Sequence, residues 1–160
     1  MNSIFKSLVV GAIVVLASGA TAFAASASEP ALGTWVLNLE KSKFSPGPAP
    51  KSQTRTYAQS ADGTHLTVTG VAADGSAISQ ESTFKYDGKD YPISGSADYD
   101  SLALKKVNGH TTSSVQKKDG KVVGSTTRTI SEHGKVLTLV SKGKSAKGGT
   151  YHNVAVFDKK

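Results

Sequence analysis

Residues 117–140, KKDGKVVGSTTRTISEHGKVLTLV, hold two turn signals, Asp119-Gly120 and His133-Gly134, separated by a run rich in threonine and valine. Asp-Gly and Asn-Gly pairs supply the positive φ that a two-residue hairpin turn requires. The same punctuation recurs at Asp62-Gly63, Asp74-Gly75, Asp87-Gly88 and Asn108-Gly109, each between runs of threonine, valine and aromatic residues. After the N-terminal segment no stretch carries apolar residues at helical spacing over three turns. The runs predict ten strands, at 34–39, 51–59, 64–72, 76–86, 90–93, 101–107, 110–118, 121–131, 135–142 and 150–158. Tight turns between sequence neighbours make an antiparallel meander. Ten twisted strands approach the limit of an open sheet, and closure removes both exposed edges. The expectation is an all-β fold, an up-and-down barrel, with Pro92 in the shortest strand where a gap in the ladder accommodates its missing N–H.

Connections in a meander alternate between the two ends of the barrel. One rim then receives only short turns. The other receives the three longest loops, Glu40–Pro50, Ser94–Asp100 and Gly143–Gly149, and is the expected mouth, since binding concentrates on loops held by a rigid scaffold.

Met1–Ala24 reads as an export signal: Lys6 in the leading segment, a short apolar run over Leu8–Leu16, and Ala22-Phe23-Ala24 as the cleavage site, with an alternative after Ala27. The apolar run is well short of the roughly 20 residues that cross a bilayer, so the chain is not expected to span a membrane. About 135 residues remain, the size of one domain, 25–160. With no cysteine there is neither a disulfide framework nor a lipid-attachment site. The predicted location is periplasmic or secreted.

Trp35, the single tryptophan, alternates with Leu37 and Leu39 against Val36, Asn38 and Glu40, which turns it inward at the end opposite the mouth. It is expected to plug the barrel base, with Gly33 letting the chain pass close beneath it. Gly33-Thr34-Trp35, followed by a long first loop and a meander, resembles the lipocalin and calycin group of barrels, whose shared G-x-W motif closes the base. The resemblance implies a basic side chain from a late strand across the tryptophan. Arg128, with Val122 and Ile130 on its face, is the match in this sequence. The stretches GTWVLNLEKSKFSPGPAPKSQT (33–54), YDGKDYPISG (86–95) and KKDGKVVG (117–124) are similar to a set of small exported bacterial proteins of unknown function, which implies fold and export and no activity.

Candidate chemistry is sparse. His65, His110 and His133 fall at the short-turn rim, but the turns carrying them are about 10 Å or more apart, whereas zinc ligands converge to about 2 Å from the ion. No metal, cofactor or catalytic residue is assigned. Serines lack a G-x-S-x-G elbow, and Gly143-Lys144-Ser145 lacks the first glycine of a phosphate-binding loop, Thr138 standing in its place. A barrel hydrolase or isomerase would need a convergent acid–base pair that the sequence does not display.

The predicted interior faces are more informative. Arg55 and Tyr57 share one face of the second strand; Gln80 and Phe84 share one face of the fourth, with Ile78, Ser82 and Tyr86; Thr126 sits beside Arg128. Polar groups inside a barrel must be hydrogen-bonded to each other, to water or to a ligand. Two interiors fit: a partly wet cavity for a small amphipathic molecule, or a narrow barrel filled by a structural polar network. At the mouth, Phe44 and Tyr99 are the apolar residues of two long loops. Lys118, Lys121, Lys142, Lys144 and Lys147 could attract an anionic group. After Leu102 twelve Lys or Arg stand against Asp119, Glu132 and Asp158, a bias that suits an anionic surface or simply guards strand edges. The sequence therefore predicts a non-enzymatic exported binding barrel for a small amphipathic or anionic, lipid-like ligand. The alternative is an envelope interaction protein docking a lysine-rich rim on anionic lipids or polymers. No nucleic-acid partner is expected.

Overall fold

A computed structural model describes residues 29–160; the predicted signal segment and both cleavage sites lie outside the described residues. Ten strands follow in order: β1 (Gly33–Ser45), β2 (Ser52–Ser60), β3 (Gly63–Val71), β4 (Ala77–Phe84), β5 (Asp87–Ser94), β6 (Ser101–Lys106), β7 (Thr111–Lys118), β8 (Lys121–Ile130), β9 (Val136–Lys144) and β10 (Thr150–Lys159). Every neighbour in sequence is an antiparallel neighbour in space, and β1 pairs with both β2 and β10, so the meander closes into a barrel. The thinnest seam lies between β4 and β5, which pair only at Glu81↔Ser94 and Ser82↔Ile93. The ladder stops one residue short of Pro92, which has no N–H to give. There the Ser82 hydroxyl donates to the Pro92 carbonyl at 2.8 Å.

β1 is longer than the sequence suggested, and it contains a bulge. Asn38 opposes Val156 while Lys43 opposes Val154, so β1 carries more residues than its partner between them. The Ser42 hydroxyl mends the broken ladder by donating to the Asn38 carbonyl at 2.6 Å and accepting from the Val156 N–H at 2.9 Å. The bulge upsets simple alternation. Leu39, expected inward, is exposed, whereas Phe44 beyond the bulge is half-buried against the core. Residues 40–45, expected as loop, are strand, and the first long connection shortens to residues 46–51.

A second bulge corrects Val122. Gln116 pairs with Gly124 but Lys117 pairs with Val122, leaving Val123 as an extra residue of β8. Val122 therefore leaves the Arg128 face and is 67% exposed.

The interior is graded along its axis. Trp35, Leu66, Phe84, Ile130, Leu137 and Phe157 are buried toward the base, and Gln53, Gln80, Gln116, Ser141 and Asn153 surround the mouth. The loops over residues 46–51, 95–100 and 145–149 share that mouth rim: Ser45 pairs with His152, and the Ala146 N–H donates to Asp98 Oδ1 at 2.7 Å.

Candidate functional site: a base plug and a two-chambered interior

Trp35 is fully buried, and its indole N–H donates to the Ala31 carbonyl at 2.7 Å. The plug is thus a composite, because residues 29–32 fold back beneath the barrel to provide that acceptor. The basic group across the tryptophan is Lys159, with Nζ 5.0 Å from the ring centroid. Gly33 makes room for it: at φ +121° it has no side chain, and an added Cβ would sit 3.0 Å from Lys159 Cε.

Arg128, expected on Trp35, lies instead over Tyr57 and Tyr86, its guanidinium carbon 5.0 and 5.5 Å from their centroids. Its Nη2 donates to Glu29 Oε1 at 2.8 Å and to the Tyr86 hydroxyl at 2.9 Å. Lys106 Nζ is 3.0 Å from the other oxygen of Glu29, off the direction of a hydrogen bond. Glu29 could not be picked out from the sequence, since it lies before the first strand in a segment with no periodicity to read. The charge on Arg128 has a partner of its own and is part of the base.

Arg55 is different. Its Nε donates to the Tyr57 hydroxyl at 3.2 Å, and its guanidinium lies 5.9 Å from the Tyr57 and Phe157 centroids. Among the described residues no carboxylate comes within ion-pairing reach of it, and its Nη atoms donate to no protein acceptor. Burial would push the Tyr57 phenol up, but Arg55 and Arg128 on its two sides outweigh burial and hold it below the usual tyrosine value.

Two cavities meet at Arg55. The inner one, about 100 Å³, reaches down past Tyr57, Phe84 and Leu104 toward Arg128. The outer one, about 310 Å³, opens past Phe44, Gln80, Tyr99 and Tyr151 to the mouth. Arg55, Tyr99, Gln116, Thr126 and Ser141 line both. Burial raises the Tyr99 and Tyr151 phenols above their ordinary values, so both stay protonated donors across neutral pH.

Of the predicted site residues, the fold brings Phe44, Arg55, Tyr57, Gln80, Phe84 and Tyr99 together inside. It leaves Lys118, Lys121 and Lys144 outside. Lys144 and Lys142 border a separate notch of about 460 Å³ in the outer wall, lined by Val115, Val122, Val123 and Tyr151. The notch forms where β8–β9 pairing ends at Gly124↔Gly143. The sequence does not single out Gln116, Ser141 or Tyr151, and Asp98, which reads there with Asp100 as solvated loop charge, lines the outer cavity. Alternation along β7 from Thr112 and Ser114 would have pointed to Gln116. Tyr151 could be placed only once the register of β10 was known.

The nearest mouth carboxylates hold loops together. Asp98 accepts from Ala146, and Asp100 Oδ2 accepts from the Asp119 N–H at 2.9 Å.

No protein-family model matches the chain, and no curated protein matches its sequence. Among solved structures the chain is similar to zebrafish ileal bile acid-binding protein complexed with cholic acid, at 14% identity and a TM-score of 0.48, over 82% of this chain and 99% of that one.

Proposed function

We propose that this chain is an exported, periplasmic or secreted, non-enzymatic barrel that takes up a small amphipathic or anionic molecule through its loop-rich mouth. The observation that carries this reading is Arg55, a guanidinium held inside the barrel, at the junction of two cavities, with no carboxylate partner among the described residues. Arg55 is half-buried and faces the chambers, and an anionic guest would meet its free Nη groups in bidentate geometry. The outer chamber sits near the lower end of the roughly 300–1,000 Å³ typical of ligand pockets. It suits a compact guest over a long acyl chain. The carboxylates at the mouth are occupied as loop acceptors, which supports binding over acid–base chemistry.

The test is native mass spectrometry of the protein purified from its own host, followed by solvent extraction. A stoichiometric small molecule is expected, and Arg55→Met should lose it. Repeated isolation of the empty protein, with a crystal structure showing only water around Arg55, would remove the reading.

A second reading rests on the outer notch. Val122 is 67% exposed beside the half-buried Val115 and Val123, and the notch is bordered by Lys142 and Lys144, a combination complementary to an anionic lipid surface: an apolar side chain at the acyl boundary, ammonium groups on phosphates. Co-sedimentation with phosphatidylglycerol vesicles, absent with phosphatidylcholine and abolished by Lys142→Glu with Lys144→Glu, is the expected result. Binding indifferent to lipid charge or to those changes counts against it.

A further inference from the structure

Resting on the binding reading, we infer that the guest is a sugar acid of monosaccharide size, its hydroxyls met by the side-chain amides of Gln53, Gln80 and Asn153. The binding reading places the acid on Arg55; the chamber around it defines the rest of the guest. All three amides line the outer cavity. Alternation along the strands turns each of them inward: Gln53 stands two residues before Arg55 on β2, Gln80 two before the buried Ser82 on β4, and Asn153 two before the buried Ala155 on β10. Arg55, Val68 and Gln80 form one register row across β2, β3 and β4, so the guanidinium and the Gln80 amide rise from backbone about 10 Å apart and line the same chamber. Asn153, Ser141 and Thr126 form a second, wholly polar row across β10, β9 and β8.

The three amides are half-buried, reachable from the chamber, and short of partners. Among the described residues Gln53 and Gln80 make no side-chain hydrogen bond to protein, and Asn153 uses only its Oδ1, which accepts from the Ser45 N–H at 3.1 Å. Asp98 Oδ1 accepts from the Ala146 N–H, which leaves Oδ2 for a hydroxyl. An alkyl chain seated among these groups would strip them of water and return no hydrogen bond. A polyol offers each amide both a donor and an acceptor. Phe44 adds an apolar surface for the C–H groups of a sugar ring, and the chamber's volume of about 310 Å³ limits the guest to one ring. Gln116 takes no part, because its Oε1 is sealed against the wall, 3.1 Å from where a Cβ on Gly124 would stand.

The experiment is calorimetric titration of the full mature chain with glucuronate, galacturonate and mannuronate, the parent neutral hexoses, and hexanoate. One hexuronate should bind at least about tenfold tighter than hexanoate, the gain from hydrogen bonds that an alkyl chain cannot make, and tighter than its own hexose. Gln53→Leu combined with Gln80→Leu should weaken that hexuronate at least about fivefold while leaving hexanoate no weaker than before. Gln53→Asn with Gln80→Asn, which keeps both amides on shorter stems, serves if the leucine variant fails to fold, and should bind at intermediate strength. Hexanoate as tight as every hexuronate, no binding by any hexuronate, or a hexuronate preference untouched by the leucine variant overturns the inference while leaving the binding barrel standing. A hexose that binds as tightly as its acid overturns it too. The barrel itself falls only with the co-purification experiment.

Discussion

The Glu29 carboxylate and the Arg128 guanidinium meet at 2.8 Å, with side chains only 8% and 6% exposed, so a residue ahead of the first strand neutralises a charge on the eighth. Removing one member of a buried pair strands the other and costs about 3–5 kcal/mol. Glu29→Ala is therefore expected to lower the unfolding free energy in urea by that amount. The double variant Glu29→Ala with Arg128→Met should recover most of it, because no buried charge is left unpaired. Lys106, half exposed on the same carboxylate, is worth at most about 1 kcal/mol. A loss at Lys106 as large as that at Glu29 would contradict this hierarchy.

Trp35→Ala should cost about 3–5 kcal/mol, the usual range for an aromatic side chain deleted from a packed core. The loss includes the hydrogen bond to Ala31, which tethers residues 29–32 beneath the barrel. Lys159→Ala removes only a cation at the surface of the ring, worth roughly 0.5–1 kcal/mol. Thermal unfolding of the two variants separates the plug from its cover. Near-wild-type behaviour of Trp35→Ala is the outcome that would refute the plug.

The five tyrosines should ionise in a set order. Tyr57 lies below the ordinary phenol value because two guanidiniums overcome its burial; Tyr86, Tyr91, Tyr99 and Tyr151 all lie above it, each chiefly through desolvation. An alkaline titration followed by ultraviolet absorbance should show one early phenolate, absent from Tyr57→Phe and moved to higher pH in Arg55→Met. The sign for stability follows from linkage. The folded chain releases this proton before the unfolded chain does, so the contribution of Tyr57 is present above the unfolded value of about 10 and is lost as pH falls through the lower folded value. An early phase that survives Tyr57→Phe would disprove the assignment.

The strand count and the closed meander were legible because five of the six turn dipeptides lie at hairpin connections, Asp87-Gly88 falling instead inside β5 at a register shift, and alternation between them fixed which loops share a rim. Alternation failed where a bulge intervened. Leu39 and Val122 were misplaced because one strand gained residues that its partner lacks, and neither Ser42 nor Val123 advertises a bulge by residue type. Arg128 pairs with Glu29 and lies over Tyr57 and Tyr86, while Lys159 covers Trp35; charge pairing across barrel layers depends on strand tilt and on a segment outside any periodic pattern. Arg55 and Gln116 illustrate a second limit. Their interior facing follows from parity, whereas what they lack, a carboxylate for one and a donor for the other, emerges only when all neighbouring side chains are in place.

Gly124 and Gly143 oppose each other across β8 and β9, and the Tyr151 hydroxyl packs over the pair. A Cβ at Gly143 would meet the Val123 carbonyl oxygen at 2.5 Å and Gly124 Cα at 2.8 Å, both backbone, as well as the Tyr151 hydroxyl at 2.8 Å. Backbone cannot swing aside as a side chain can, so Gly143→Ala must spread the two strands. The expected cost is that of overpacking, about 1–3 kcal/mol. Gly124→Ala meets the Tyr151 hydroxyl at 2.9 Å, the Lys142 carbonyl oxygen at 3.0 Å and Gln116 Oε1 at 3.1 Å, so its tightest contact, unlike that of Gly143→Ala, is with a side chain and is relieved once the tyrosine is shortened. Combining Gly124→Ala with Tyr151→Phe should therefore recover stability, while Gly143→Ala with the same change should not. Equal rescue of both would show that the tyrosine, and not the strand spacing, limits the size of these two residues.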